Sequence, residues 1–190
     1  MPLIILLFGS ASYLVAILQM IKGSYRPNVF SRVIWLLLAI NSMAGVIYSQ
    51  GSHASYLLAA VSLIGSLLIC LGSFWRGSGA MRKLEYSCLG LFLLSVAIWV
   101  LYPIPVVNLC IGLGAHFIGA IPSFRQVYLN GKSESTAFWS LFFIASLTSV
   151  ISSLGSPLSA LIYPLYFTIF DGSMMVLSLR PPRLQRPLNP

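Results

Sequence analysis

The chain has 190 residues, of which 58% are hydrophobic and only 7% are charged. Soluble domains carry about 25% charged residues, so this composition excludes an ordinary soluble protein. The net charge of +8 is compatible with nucleic-acid binding, but no soluble basic segment is interleaved with stacking aromatic residues. A transmembrane helix needs about 20 apolar residues, so the composition predicts a multi-pass membrane protein with little room for a soluble domain.

Seven apolar stretches follow one another along the chain, at about 2–21, 33–50, 54–74, 87–101, 104–123, 137–154 and 157–178. Most are close to the length that crosses the hydrocarbon core of a bilayer, and the fourth is the shortest. The first has the length of a secretory signal, but no basic residue precedes it, so we interpret it as a retained helix. The prediction is therefore seven transmembrane helices.

Every Lys and Arg lies in an alternate connector or in the tail after the last stretch. These residues are Lys22, Arg26, Arg32, Arg76, Arg82, Lys83, Arg125, Lys132, Arg180, Arg183 and Arg186. With seven spans they all emerge on one side, which the positive-inside rule makes cytoplasmic. We predict a plasma-membrane protein, in a bacterium an inner-membrane protein, with its N-terminus outside and its C-terminus in the cytoplasm.

Two tryptophans, Trp35 and Trp139, open the second and the sixth span. Amphipathic indole rings prefer the headgroup level of a membrane, so we interpret both residues as interfacial anchors. A role in stacking on a substrate is the alternative for either ring.

The chain contains an internal repeat with an offset of 104 residues. Residues 11–57 match residues 115–161 at 15 of 47 positions without a gap, whereas apolar composition alone gives about one match in ten. The match of Trp35 with Trp139 is among the least accidental, together with a repeated Gly-Ser pair. Convergent helix composition is the alternative explanation. We interpret the match as a structural repeat of three spans.

The repeat groups the spans into two units of three. Because three is odd, the second unit would be inverted unless one more helix came between them, and the fourth span supplies it. We predict a first repeat at 1–75, a cytoplasmic loop and inverting helix at 76–103, a second repeat at 104–179 and a basic tail at 180–190. Parallel repeats place a solute site at their interface, near the membrane midplane.

Short motifs flank several spans: Arg26-Pro27-Asn28 with Trp35, Leu84-Glu85-Tyr86, Ile121-Pro122-Ser123 and Glu134-Ser135. On these residues and the three-one-three layout, the whole chain resembles the SWEET and PQ-loop superfamily of seven-helix membrane proteins, in particular its bacterial members. In that superfamily a Pro-Gln pair ends the first helix of each repeat. Here Leu18-Gln19 and Pro122-Ser123 stand at those places, with half of the pair each.

Two prolines lie inside predicted spans, Pro122 in the fifth and Pro164 in the seventh. A proline in a helix interior removes one backbone hydrogen bond and clashes with the preceding turn. We therefore predict that both are hinges. The halved Pro-Gln pair indicates that the two repeats need not hinge alike.

Polar residues within the spans form the candidate binding site. Asp171 lies deep in the seventh span, where an acid costs about 2.5–3.5 kcal/mol on insertion scales, so it should face a cavity or a partner. His116 and Asn41 fall near the same level. We predict that these three residues line one cavity between the repeats, with Tyr166 and Asn108 as further lining residues. The alternative is a purely structural role, in which Asp171 is hydrogen bonded to His116, Tyr166 or a backbone carbonyl and binds no solute.

Enzyme signatures are missing from the sequence. It contains no nucleophile elbow with a Ser-His-Asp order, no HExxH, no phosphate-binding glycine loop and no CxxC. We therefore predict no enzyme activity, no cofactor and no metal site. The cysteines, Cys70, Cys88 and Cys110, show no ligand spacing and are predicted to pack in the core.

Two functions fit these features. The first is a carrier for a small polar solute, either a uniporter or a proton-linked carrier, since a histidine beside an acid titrates in the physiological range. The superfamily resemblance also allows a non-transporting receptor or an assembly scaffold, as in the KDEL receptor, which recognises cargo. In both cases the lipid bilayer is a partner and nucleic acid is not. Assembly into a homo-oligomer stays open.

Overall fold

A computed structural model gives the fold and describes residues 1–25, 27, 29–77, 83–101, 104–129, 131 and 134–181. Helices account for 86% of the described residues, and none of those residues forms a strand. The all-helical class that the sequence predicts is therefore confirmed.

Several residues named above lie outside the described part. They are Arg26, Asn28, Arg82, Lys132, Arg183 and Arg186. The same holds for the side chains of Leu84, Glu85, Cys88, Pro122 and Arg125.

Seven helices follow one another in the described part of the chain. They are α1 (Pro2–Ile21), α2 (Val29–Tyr48), α3 (His53–Arg76), α4 (Lys83–Leu101), α5 (Pro105–Leu129), α6 (Thr136–Ser152) and α7 (Leu158–Ser178). Four of them, α1, α2, α3 and α7, are long and apolar enough to cross a membrane, and α4, α5 and α6 contain shorter apolar segments. The structure is thus compatible with a multi-pass membrane protein.

Several helices extend beyond the apolar stretches in the sequence. α2 begins at Val29 rather than 33, α4 begins at Lys83 rather than 87, and α5 ends at Leu129 rather than 123. Arg32 and Lys83 therefore lie within helices rather than in connectors. Hydropathy falls at a charged residue, but the helix need not end there, because the side chains of Lys and Arg can carry their charges toward water.

Two serines determine where α3 and α6 begin. Ser52 accepts a hydrogen bond from the backbone N–H of Ser55, and Ser135 accepts one from the N–H of Phe138. Each N-cap satisfies a backbone donor that has no partner within its helix. Both capping serines also contact the other half of the chain, as described below.

The helices pack in a regular pattern. α3 packs against both α1 and α2, and α7 packs against both α5 and α6. Between these groups, α1 packs against α6 and α2 against α5, while α4 lies against α2 and α5. Six helices therefore surround a common interior, and α4 stands at its side.

Polar side chains lie inside the bundle and large apolar ones lie outside. Ser12, Asn108 and Asp171 are at most 1% exposed, whereas many apolar side chains are more than half exposed, among them Leu3, Leu7, Ile64, Phe74 and Leu158. Water disfavours such an apolar surface, but lipid does not.

Cys70 is buried, but Cys110 faces outward, so the core position predicted for Cys110 is wrong. The outer face of α5 belongs to this apolar surface.

Pro164 lies within α7, where the missing N–H leaves the carbonyl of Ala160 without its helical donor. The hydroxyl of Ser55 in α3 donates a hydrogen bond of 2.8 Å to that carbonyl. The proposed hinge at Pro164 is therefore tied to α3. The other predicted hinge residue, Pro122, falls within α5, and its side chain is not described.

The bond between Ser55 and Ala160 leads to a stability prediction. The Ser55→Ala substitution should lower the free energy of unfolding by about 1 kcal/mol, because the carbonyl loses the hydroxyl that replaces its helical donor. In a Pro164→Ala background the restored N–H can donate to Ala160, so Ser55→Ala should then cost much less. Thermal unfolding of the single and double variants in detergent measures both costs. Equal costs in the two backgrounds would contradict this explanation.

Candidate functional site

A cavity of about 40 Å³ lies in the common interior. This volume has room for a few water molecules. Every helix except α4 contributes to its lining, which consists of Tyr13, Trp35, Ala39, Ser42, Ser62, Ser66, His116, Phe138, Trp139, Phe142, Tyr163, Phe167, Phe170 and Asp171. We call it the Asp171 cavity.

Asp171 is 1% exposed and lines this cavity. Ser146 of α6 is its hydrogen-bonding neighbour, but the Oδ2 atom has no hydrogen-bond partner among the described residues. A buried carboxyl oxygen without a partner is costly. Asp171 is therefore not fully satisfied by the surrounding protein, in contrast to the alternative interpretation of its role.

His116 lines the same cavity as Asp171 and lies among aromatic rings. Its Nδ1 atom is 2.8 Å from the hydroxyl of Tyr166, and the tautomer decides which of the two donates. The imidazole centroid is 5.1 Å from that of Trp35 and 4.9 Å from that of Phe170. The protein thus satisfies one histidine nitrogen and holds the ring in a fixed orientation.

Asn41 and Asn108 lie elsewhere, between α2 and α5. Asn108 Nδ2 donates a hydrogen bond of 3.3 Å to Asn41 Oδ1, and both residues are buried. A Cβ atom at Gly112 would lie 2.5 Å from Asn41 Nδ2, so glycine makes room for this amide. Of the three residues predicted to share a cavity, Asp171 and His116 line the one described here and Asn41 does not. The two amides join α2 to α5.

Trp35 and Trp139 both wall the Asp171 cavity. Trp139 is 4% exposed, so its indole ring is buried inside the bundle. The interpretation of these residues as interfacial anchors is therefore wrong for Trp139, and Trp35 also faces inward. Each opens an apolar stretch, but α2 begins earlier, at Val29, so the ring of Trp35 lies inside the bundle. In the sequence, the match of Trp35 with Trp139 across the repeat indicates that the two rings occupy equivalent positions.

Hydroxyl groups line the side of the cavity formed by α1 and α3. The Tyr13 hydroxyl is within hydrogen-bonding reach of Ser62 and Ser66. A Cβ atom at Gly65 would overlap the Tyr13 ring, so only glycine lets the ring pack against α3. This packing directs the phenol into the cavity.

Two smaller cavities continue from the Asp171 cavity toward the connector before α2. The middle cavity, of about 30 Å³, is lined by Tyr13, Arg32, Trp35, Ser66, Ile69 and Phe138. The Arg32 cavity, of about 20 Å³, is lined by Ala16, Gln19, Tyr25, Arg32, Trp35, Ile69, Glu134, Ser135, Phe138 and Trp139. Because neighbouring cavities share several lining residues, they form a row through the interior.

Arg32 occupies the end of this row. Its guanidinium donates a hydrogen bond to the Tyr25 hydroxyl and lies over the rings of Tyr25 and Trp35, at 5.4 and 4.8 Å from their centroids. Its Nε atom is buried without a hydrogen-bond partner among the described residues. Burial raises the pKa of Tyr25 to about 12 against the opposing charge of Arg32, so the phenol stays neutral at physiological pH.

Glu134 shares the Arg32 cavity and leads to a pH prediction. Burial raises the pKa of Glu134 above its ordinary value of 4.5, and the charge of Arg32 opposes the rise. The unfolded chain therefore loses this proton first as the pH rises, and the stability falls between pH 4.5 and the raised pKa. We expect the Glu134→Gln variant to unfold at a higher temperature than the wild type at about pH 8 and at a similar temperature at about pH 4.

Unfolding temperatures of both proteins, measured in detergent across this pH range, test the prediction for Glu134. Other carboxyl groups affect both proteins alike, so the difference between the two curves isolates Glu134. A difference that does not change with pH would show that Glu134 is not the titrating group.

Fold and site together define an all-helical bundle with an interior cavity lined by a buried acid, compatible with a multi-pass membrane protein. Compared with protein-family models, curated proteins and solved structures, the chain matches none of them. Its function must therefore be argued from its own residues.

Proposed function

We propose that the protein is a seven-span membrane carrier for a small polar solute, which binds in the Asp171 cavity. The observation that carries this proposal is the unpartnered Oδ2 atom of Asp171, which is buried at a cavity between the two halves of the chain. An intramembrane acid is costly. A solute that binds at this atom would supply the missing partner and so offset the cost of burying the acid.

The packing of the helices supports two equivalent units, α1–α3 and α5–α7. In each unit the third helix packs against the other two. The offset of 104 residues relates α1 to α5 and α2 to α6, so the contact of α1 with α6 corresponds to that of α5 with α2. Both contacts are present. Two parallel units around a common axis are expected to pair in this way, with α4 as the inverting helix.

The distribution of charge supports an orientation in the plasma membrane. Lys22, Arg76, Lys83 and Arg180 lie at the ends of helices or in the adjoining connectors. With seven spans all of these ends lie on one side, and the positive-inside rule assigns that side to the cytoplasm. The row of cavities then leads from the Asp171 cavity toward the cytoplasm.

Two of the hydrogen bonds between the units lie at opposite ends of α6. Gln19 Nε2 donates a hydrogen bond of 3.0 Å to Ser135 Oγ at one end, and the hydroxyls of Ser52 and Ser153 share a hydrogen bond at the other. Because α6 has 17 residues, these contacts lie about 25 Å apart. We infer that the units rock about the Asp171 cavity, and that each contact opens in turn.

Uptake by proteoliposomes that contain the purified full chain tests the carrier. We expect saturable uptake of at least one small polar solute above that of protein-free vesicles. A response to an imposed pH gradient would favour a proton-linked carrier, and its absence a uniporter. If a broad panel shows no uptake and a stoichiometric partner copurifies, the receptor or scaffold alternative replaces the carrier.

A further inference from the structure

Two charged groups of opposite sign face the row of cavities with unpartnered atoms. Asp171 Oδ2 borders the Asp171 cavity, and Arg32 Nε belongs to a side chain that lines the other two. Neither atom has a hydrogen-bond partner among the described residues. The proposed function uses the first group but not the second.

The walls of the Asp171 cavity suit a cation. Besides the carboxyl group, they consist largely of aromatic rings, from Trp35, Phe138, Trp139, Phe142, Phe167 and Phe170. An ammonium group is attracted to aromatic faces as well as to a carboxylate. A neutral polyol could use the hydroxyls of this cavity, but it would leave the acid without a counter-charge.

The Arg32 cavity suits an anion. The guanidinium is held by the hydroxyl of Tyr25 and by the ring of Trp35, which keeps it in one place. Guanidinium groups bind carboxylates and phosphates through several N–H donors at once. Glu134 lines the same cavity, and its charge interacts with that of Arg32. A solute anion would therefore compete with Glu134.

The two charged groups line neighbouring cavities, Asp171 the Asp171 cavity and Arg32 the middle cavity. The middle cavity contains Tyr13 and Arg32, and it shares Tyr13, Trp35 and Ser66 with the Asp171 cavity. A solute that extends past Tyr13 along the row of cavities would therefore meet both groups.

We propose that the solute is a small zwitterion, with its cationic group at Asp171 and its anionic group at Arg32. This inference rests on the proposed function and names its substrate class, of which a small α-amino acid is the simplest member. A neutral solute would leave Asp171 without a counter-charge, and a cation would leave Arg32 with Glu134 as its counter-charge and the Arg32 cavity without the anion that it suits. A zwitterion pairs both charges, so the site selects for it against its singly charged analogues.

Four small probes of similar size distinguish the charge classes of solute. They are L-alanine as the zwitterion, L-alaninamide as the cation, L-lactate as the anion and glycerol as the neutral solute. Uptake by proteoliposomes measures transport, and quenching of tryptophan fluorescence in detergent measures binding. We expect L-alanine to bind and to be taken up at least about tenfold better than the other three. This ratio corresponds to the loss of one charged contact.

Variants of Arg32 and Glu134 test which end of the solute binds in the Arg32 cavity. Arg32→Gln should lower L-alanine uptake at least about tenfold and change L-alaninamide uptake less than about twofold, since the cation does not need Arg32. Glu134→Gln should tighten L-alanine binding, because a competing carboxyl is removed. Arg76→Gln, at an exposed arginine outside the three cavities, is the matched control and should change neither.

The outcomes separate this inference from the carrier itself. Binding of L-alanine without uptake would support the zwitterion and contradict the carrier. Uptake of glycerol or L-lactate, but not L-alanine, would support the carrier and overturn the zwitterion. Equal losses of L-alanine and L-alaninamide in Arg32→Gln would also overturn it, and no binding or uptake of any probe would reject both.

Discussion

Replacement of Asp171 by asparagine is expected to lower solute flux at least about tenfold without unfolding the protein. A hydrogen bond to a charged group contributes about 1.5–3 kcal/mol, and each 1.4 kcal/mol is a factor of ten. Asparagine has nearly the same shape but no charge, so the solute loses this interaction. The protein also loses a buried, incompletely partnered acid, so its unfolding temperature should be unchanged or raised.

Flux into proteoliposomes and unfolding in detergent measure the two effects of Asp171→Asn separately. Ser173→Ala is the matched control, because Ser173 lies on the same helix and is not among the cavity-lining residues. Normal flux in Asp171→Asn would mean that the acid has only a structural role. Lost flux with a lowered unfolding temperature would indicate misfolding rather than a binding defect.

A disulfide between positions 52 and 153 is expected to stop transport reversibly. The hydroxyls of Ser52 and Ser153 are hydrogen bonded to each other across the two units. Paired cysteines there should come within the Cβ separation of about 3.5–4.5 Å that a disulfide requires. The Ser52→Cys/Ser153→Cys variant, without Cys70, Cys88 and Cys110, should lose nearly all flux on oxidation and regain it on reduction.

A second pair of cysteines provides the control for this cross-link. Ser52 and Ser55 belong to the same unit, and their hydroxyls are 2.9 Å apart. Ser52→Cys/Ser55→Cys has the same oxidation chemistry but ties no units together, so its flux should be the same before and after oxidation. Unchanged flux in the oxidised 52–153 pair would refute rocking of the two units.

Much of the helix layout could be predicted from the sequence, because apolar stretches of membrane length leave few other structures. The ends of the helices could not. Val29 begins α2 and Leu129 ends α5, although charged residues interrupt the hydropathy inside both ends. Hydropathy measures preference for lipid, whereas hydrogen bonds and caps, such as that of Ser52, determine where a helix begins and ends.

The candidate site could be predicted only in part. The depth of an acid in an apolar span can be read directly from the sequence, which predicts a cavity at Asp171 and, from the similar depth, at His116; both residues line the Asp171 cavity. The depth of a residue along its helix does not show in which direction its side chain points. The sequence therefore predicts Asn41 in the same cavity, whereas in the structure Asn41 pairs with Asn108. The repeat does not help here, because residue 67, the counterpart of Asp171, is leucine.

The sequence does not predict that Arg32 lines an interior cavity, for a related reason. A basic residue next to an apolar stretch is read as part of a cytoplasmic connector by the positive-inside rule. The contacts with Tyr25 and Trp35 that hold Arg32 inside the bundle depend on tertiary packing. The match of Trp35 with Trp139 across the repeat is the feature of the sequence that points to this part of the interior.

Accessibility of the Asp171 cavity tests alternating access most directly and does not require the solute to be known. Ser66, which lines the Asp171 and middle cavities, is replaced by cysteine in the background without native cysteines. A membrane-impermeant thiol reagent is then applied to either side of the membrane. Ala145→Cys, at a fully buried core position, is the unreactive control. We predict labelling of position 66 from both sides, and labelling from neither side would contradict a carrier.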